Sequence, residues 1–210
     1  MAEQQAEQQA EQDLEDVEDE ERSILGDLLD LAESVLCSVF LVFLVFTFLF
    51  RIATVEGASM YPTLIHGDRL IVSELGYTPC RGDVVIINAR NSYQPDASGN
   101  VVESEGLNKL IVKRIIATGG QSVDIDFDTG IVMVDGQALN ESYISTLTTR
   151  DEGGMQFPVT VPEGYVFVLG DNRGISKDSR HPSVGFIPES DIMGKVLLRV
   201  FPLGEFGKIS

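Results

Sequence analysis

Lys109-Leu110-Ile111-Val112-Lys113-Arg114-Ile115-Ile116-Ala117 places two adjacent long cations inside an aliphatic run. The run reads as a strand, in which alternate side chains face opposite sides. Lys113 then shares a face with Ile111 and Ile115, and Arg114 shares the other with Val112 and Ile116. One of the two cations is driven toward a core. Desolvation disfavours an ammonium, so a buried lysine shifts toward neutrality and becomes a usable base at about pH 7–8. The competing outcome is snorkelling, with the stem along the sheet and the amine in water. Lys109 borders a loop and reads as an ordinary surface charge.

The same texture extends in both directions. From Thr54 onward, short apolar runs alternate with turn signals, and 69–73, 83–87, 110–117, 122–127, 130–134, 137–139, 165–169 and 192–200 read as strands. Asp135-Gly136 marks a hairpin turn between two of them. Residues 91–107, with Pro95, Gly99 and Gly106, read as a long loop or a β-excursion. No helical period follows residue 60. The expectation for 53–210 is a mostly β domain, a folded antiparallel sheet or barrel-like arrangement with one to three short helical turns.

Upstream the pattern changes. Seventeen uncharged residues run from Ser34 to Phe50 and end at Arg51. They are apolar on every face, and a helix of roughly 17–20 residues just crosses a hydrocarbon core of about 30 Å. A cleaved signal peptide would begin near residue 1 behind a basic region, whereas this run follows an acidic one. Residues 23–52 are therefore expected to form an amphipathic approach (Leu25, Leu28, Leu29, Leu31) and one N-terminal transmembrane helix. Residues 1–22 are acidic and low in complexity and read as a disordered tail.

Most of the net charge of -18 lies ahead of the apolar run: residues 1–33 hold thirteen Asp and Glu against Arg22 alone, or -12, leaving -6 for the rest. No basic patch suggests nucleic acid. Arg22 and Arg51 flank the span one on each side, so the positive-inside rule assigns no orientation. Cys37 and Cys80 fall in different parts of the chain and are not expected to pair.

Two further segments interrupt strong apolar patterning with polar residues. In Gly57-Ala58-Ser59-Met60-Tyr61-Pro62-Thr63-Leu64, small residues ahead of the serine let another backbone approach closely. Alone, such a segment reads as a turn. Its place eight positions after Arg51 holds Ser59 close to a bilayer surface. The eleven residues from Gly170 to Arg180 contain two Asp, two Arg, two Ser and an Asn, too many hydrogen-bonding groups for a simple connector. Such a loop can orient a buried amine through a hydroxyl and brace itself with Asp–Arg pairs. His66 and His181 are far apart, with no partners at ligand spacing, which argues against a metal. No nucleotide-binding glycine pattern occurs.

These segments, in this order behind one span, resemble the bacterial type I signal peptidases, or leader peptidases. Ser59 to Leu64 looks like the family's nucleophile box, and Arg81-Gly82-Asp83-Val84-Val85 like the next. Lys113 to Ile116 with Gly119 and Gly120 resembles the general-base box, and Gly170 to Arg180 the last. The likeness covers about residues 35–200. It implies a serine–lysine endopeptidase that removes signal peptides from exported preproteins after small residues and needs no cofactor. Ser59 would attack, neutral Lys113 would move the proton, and Ser176 would hold the amine. Asp178 and Arg180 would brace the loop, and Arg114 would pair with Asp171.

Gly57, Ala58 and Met60 would lie beside the oxyanion and the substrate, which binds as an extended strand. Where some members carry a serine that assists the oxyanion, this chain has Gly57. The resemblance also implies a plasma-membrane protein with its tail in the cytoplasm and its domain outside, near the secretion translocon. An apolar surface around Met60 and Tyr61 is expected to touch lipid. The alternative within the same chemistry is a self-cleaving serine–lysine protease. From another class, it is a membrane-tethered, non-catalytic β-domain that binds or scaffolds.

Overall fold

The computed structural model describes residues 26, 28–29, 31–44, 47, 50–96 and 98–209. The chain divides into two compact units, Met1–Phe48 and Leu49–Ser210. The expected tail over 1–22 lies outside the described residues. In the first unit the described residues are helical. Their apolar side chains, among them Leu36, Val39, Phe40 and Phe43, are exposed. Among the described residues no helix is long and apolar enough to cross a membrane. Residues 45, 46, 48 and 49 of the expected span lie outside them.

The second unit is built of antiparallel strands. They are β1 (Arg51–Thr54), β2 (Arg69–Ser73), β3 (Val84–Asn88), β4 (Asn91–Pro95), β5 (Val101–Glu105), β6 (Leu110–Thr118) and β7 (Ser122–Asp126). Then follow β8 (Ile131–Val134), β9 (Gln137–Ala138), β10 (Val159–Thr160), β11 (Tyr165–Leu169), β12 (Ile187–Pro188), β13 (Ile192–Phe201) and β14 (Gly207–Lys208). The main sheet runs β1-β2-β13-β3-β6-β11-β12, with β14 on β13. It is open, with β1 and β12 at its ends, so the folded-sheet form is adopted rather than a closed barrel. A second sheet runs β10-β7-β8-β9, and β4 pairs with β5 alone.

Most expected strands appear within a residue or two of their predicted limits. Residues 91–105 form a hairpin rather than a loop, docked through a bridge from Tyr93 to Phe186. Two 3-10 turns, Glu189–Asp191 and Leu203–Glu205, supply the short helical segments.

Burial explains why these runs are strands. Val85, Ile87, Ile115, Val166 and Val168 make one buried cluster across the centre of the main sheet. Ile116, Val123, Val132, Phe167 and Phe186 make a second, reaching to the smaller sheet. Val55, Met60, Leu64, Leu70 and Val84 make a third around β2. Each fully buried side chain of this type contributes about 1.5–3 kcal/mol. β6 is covered on both faces, because Ile115 and Ile116 enter different clusters. Alternation predicted one buried cation there; both Lys113 and Arg114 are buried.

Candidate active site

Ser59 lies in a turn whose two ends are tied together. Val55 N donates to Asp68 O at 2.9 Å, and Gly67 N donates to Val55 O at 2.9 Å. The Asp68 carboxylate accepts from Ile65 N at 2.9 Å and from Arg199 at 3.0 Å. Gly57 within this turn has φ +90°, a backbone conformation that glycine adopts without strain. Its N–H donates to Nδ1 of exposed His66 at 3.2 Å.

β6 brings Lys113 to this turn from the centre of the sheet, where it pairs in register with Val85 of β3. Lys113 Nζ donates to Ser59 Oγ at 2.7 Å and to Val112 O at 2.8 Å. The lysine is 2% exposed. Burial pushes its pKa down from 10.5 to about 8; Asp178 and Asp171 pull the other way, and the Lys109 cation adds to the depression. Snorkelling does not occur. Near neutral pH a usable share of this amine is uncharged and in contact with a hydroxyl, the arrangement that base-activated nucleophiles need.

The loop 170–180 continues from β11 and packs beneath Ser59. A Cβ on Gly170 would meet Ser176 Oγ at 2.2 Å and Ser59 O at 2.5 Å, so the approach requires a glycine. Asp171 holds Arg114 through two hydrogen bonds, 2.9 Å from Nε and 2.7 Å from Nη2. Arg114 also donates to Gly82 O at 2.8 Å and lies 4.0 Å from the Tyr143 ring centroid. Asp178 accepts from Arg180 Nε at 2.8 Å, Arg180 Nη2 at 2.9 Å and Gly170 N at 3.0 Å. Burial would raise the Asp178 carboxyl. The hydrogen bonds and charge of Arg180, helped by Gly170 and Ser176, outweigh that and hold it below the ordinary carboxylate value.

Two sequence expectations need correcting. Ser176 was assigned to the lysine amine, yet its buried Oγ meets the hydrogen-bond geometry of no partner among the described residues. It lies against Gly170 and near enough to Asp178 to favour the carboxylate, while the amine takes Ser59 and the Val112 carbonyl instead. Met60 was expected beside the substrate and on a lipid-facing surface. It is 1% exposed and packs in the cluster with Val55, Leu64 and Leu70, because the tied turn directs it inward. Tyr61 remains exposed.

An open cleft of about 670 Å³ passes over Ser59 and Lys113. Ile52, Ala53 and Thr54 of β1 line it, as do Leu110, Ile111 and Val112 of β6. β1 pairs only with β2, and β11 pairs with β6 only from Arg114 onward, so both strands present an unpaired edge here. Gly57 and Ala58 also line the cleft. Among the described residues no cluster of three or more His, Cys, Asp or Glu is placed to hold a metal.

Several contacts had no sequence signal. Thr63 Oγ1 donates to Asp171. Arg173 pairs with Glu141 and donates to Thr148, which straps the 141–148 segment to the loop. Asn172 donates through its backbone N–H to Ser59 O at 2.9 Å and through Nδ2 to Ala58 O at 3.1 Å. These partners are 25 to 114 positions apart, and no periodicity links them.

Comparison with known proteins gives the same direction. The family described as signal peptidase, peptidase S26, matches residues 28–201. A probable signal peptidase I-1 of Synechocystis is 37% identical over 74% of this chain and 73% of its own length. Signal peptidase I T of Bacillus subtilis is 36% identical over 84% of this chain and 87% of its own. Signal peptidase I of Mycobacterium tuberculosis is 34% identical over 82% and 72%. A solved signal peptidase I from Enterococcus faecalis aligns with 57% of this chain and 97% of its own at 24% identity and a TM-score of 0.40. The chain belongs to the signal peptidase family, peptidase S26.

Proposed function

We propose that this protein is a membrane-anchored endopeptidase that cleaves signal peptides from exported preproteins, with Ser59 as nucleophile and Lys113 as general base. The observation that carries the reading is the 2.7 Å contact between a buried, readily deprotonated amine and the Ser59 hydroxyl. Ser59 Oγ attacks the scissile carbonyl carbon while Lys113 takes its proton. The tetrahedral oxyanion is met by the Ser59 backbone N–H. Collapse breaks the peptide bond, and Lys113 passes the proton to the leaving amine. Lys113 then deprotonates a water, which attacks the acyl-enzyme and restores Ser59.

The open edges of β1 and β6 support binding of the substrate as an added strand, with backbone hydrogen bonds on either side. Ala53, Gly57 and Ala58 line the cleft, and their small size lets a substrate backbone approach closely. Relatives named signal peptidase I support the substrate class. The apolar run 34–50 supports one membrane span. A processor of exported chains meets its substrate on the exit side, which puts the catalytic domain there near the translocon and the tail in the cytoplasm. A non-catalytic scaffold would sit better with an exposed amine remote from Ser59, and this geometry weighs against it.

Purified full-length protein incubated with a preprotein is expected to make a single cut after a small residue. Ser59→Ala and Lys113→Met should each lower the rate by at least about 10³-fold. Product from either variant at the parental rate refutes the mechanism.

A further inference from the structure

We propose that Asn172 is a positioning residue that sets the oxyanion donor of this site, in place of the hydroxyl that Gly57 lacks. The inference rests on the reading of Ser59 as nucleophile. Asn172 is joined to two successive carbonyls of the nucleophile turn. Its backbone N–H donates to Ser59 O at 2.9 Å and its side-chain Nδ2 to Ala58 O at 3.1 Å. The Ala58 carbonyl and the Ser59 N–H belong to one planar peptide unit, and in a trans unit they point in opposite directions. Pulling the carbonyl toward Asn172 therefore turns the Ser59 N–H the other way.

Ala58 and Ser59 both line the cleft that carries Lys113. The carbonyl is also held by Tyr61 N at 3.2 Å, so the plane is fixed from two sides. Position 57 has no side chain to contribute, and its N–H is already committed to His66. The Ser59 N–H belongs to the nucleophile itself, and its aim depends on this plane. A donor that is preorganised costs no rearrangement when the charge develops. Asn172 is not among the residues that line the cleft. Its effect passes through the peptide it holds, and a misplacement of about 1 Å at such a donor costs on the order of a hundredfold in rate.

The test uses full-length protein with a preprotein and a peptide aldehyde matching the residues before the cut. Ser59 Oγ adds to the aldehyde carbon, Lys113 takes the hydroxyl proton, and the new alkoxide occupies the oxyanion position. Asn172→Ala and Asn172→Asp keep the backbone N–H and lose the side-chain donor; Asp also keeps the shape, so it carries the comparison if Ala fails to fold. Measured above the Lys113 titration, each should lose about ten- to a hundredfold in kcat with KM and melting temperature near parental. The aldehyde inhibition constant should rise in proportion, because it samples the same oxyanion contact. Parental kcat in both variants, or a kcat loss with unchanged aldehyde affinity, overturns the role of Asn172. If the parental protein does not cut, or Ser59→Ala does, the nucleophile reading fails and this inference fails with it.

Discussion

Lys113 decides how this site responds to pH. An ordinary lysine titrates at 10.5, and burial brings this one to about 8. The base is the neutral form, so kcat/KM should rise with pH and level off above about 8. A rate that is flat from pH 6 to about 9 would contradict a lysine base. The same displacement has a consequence for stability. Between about 8 and 10.5 the unfolded chain holds the proton and the folded chain does not, so stability rises with pH across that window. Below it the folded state carries a buried ammonium at a cost of about 3 kcal/mol. Lys113→Met should therefore be inactive yet at least as resistant to urea as the parent at pH 7, a direction opposite to most core substitutions.

At the scale of elements, the loop 170–180 and the turn 55–68 act as one fitting. Gly170 joins them: any Cβ there meets Ser176 Oγ at 2.2 Å and Ser59 O at 2.5 Å. Gly170→Ala should displace Ser59 from Lys113 and reduce kcat by about a hundredfold or more, while KM changes little. A crystal structure or activity assay finding Ser59 and kcat undisturbed would show that the loop is not the seat of the turn. The loop keeps its form through buried pairs, Asp178 with Arg180 and Asp171 with Arg114. Breaking either pair by removing one partner strands a charge and costs about 3–5 kcal/mol. The held-down Asp178 carboxylate contributes stability above its unfolded value of 3.8, and that contribution is lost as pH falls through its lower folded value.

For the molecule as a whole, placement is a matter of partition. Seventeen uncharged residues precede Arg51, and the β domain follows directly with its cleft beside β1. In cells, the full-length chain should remain in the membrane fraction after an alkaline wash, with its β domain accessible to added protease only from the exit side. Release by the wash would exclude a spanning segment, and protection from exit-side protease would reverse the orientation. The charge of -18, most of it ahead of the apolar run, gives no reason to expect binding to nucleic acid.

Local chemistry made part of this protein readable from its residues. Period-two runs separated by turn residues specify strands whatever lies beside them. The hairpin at 91–105 was left open because its polar composition resembles a loop, β1 begins inside the stretch read as membrane helix, and β10, β12 and β14 are too short to carry a period. An aliphatic strand carrying Lys113, a glycine-flanked Ser59 and a loop dense in Asp and Arg announced the groups of the site. What those groups touch was decided by tertiary structure. Two-sided coverage of β6 buried both cations, the tied turn sent Met60 inward, and the amine took Ser59 and the Val112 carbonyl rather than Ser176. Asn172 reaches back 114 positions to Ala58. Residue type and spacing act within a few positions of the chain, whereas contact and desolvation depend on neighbours that only folding brings together.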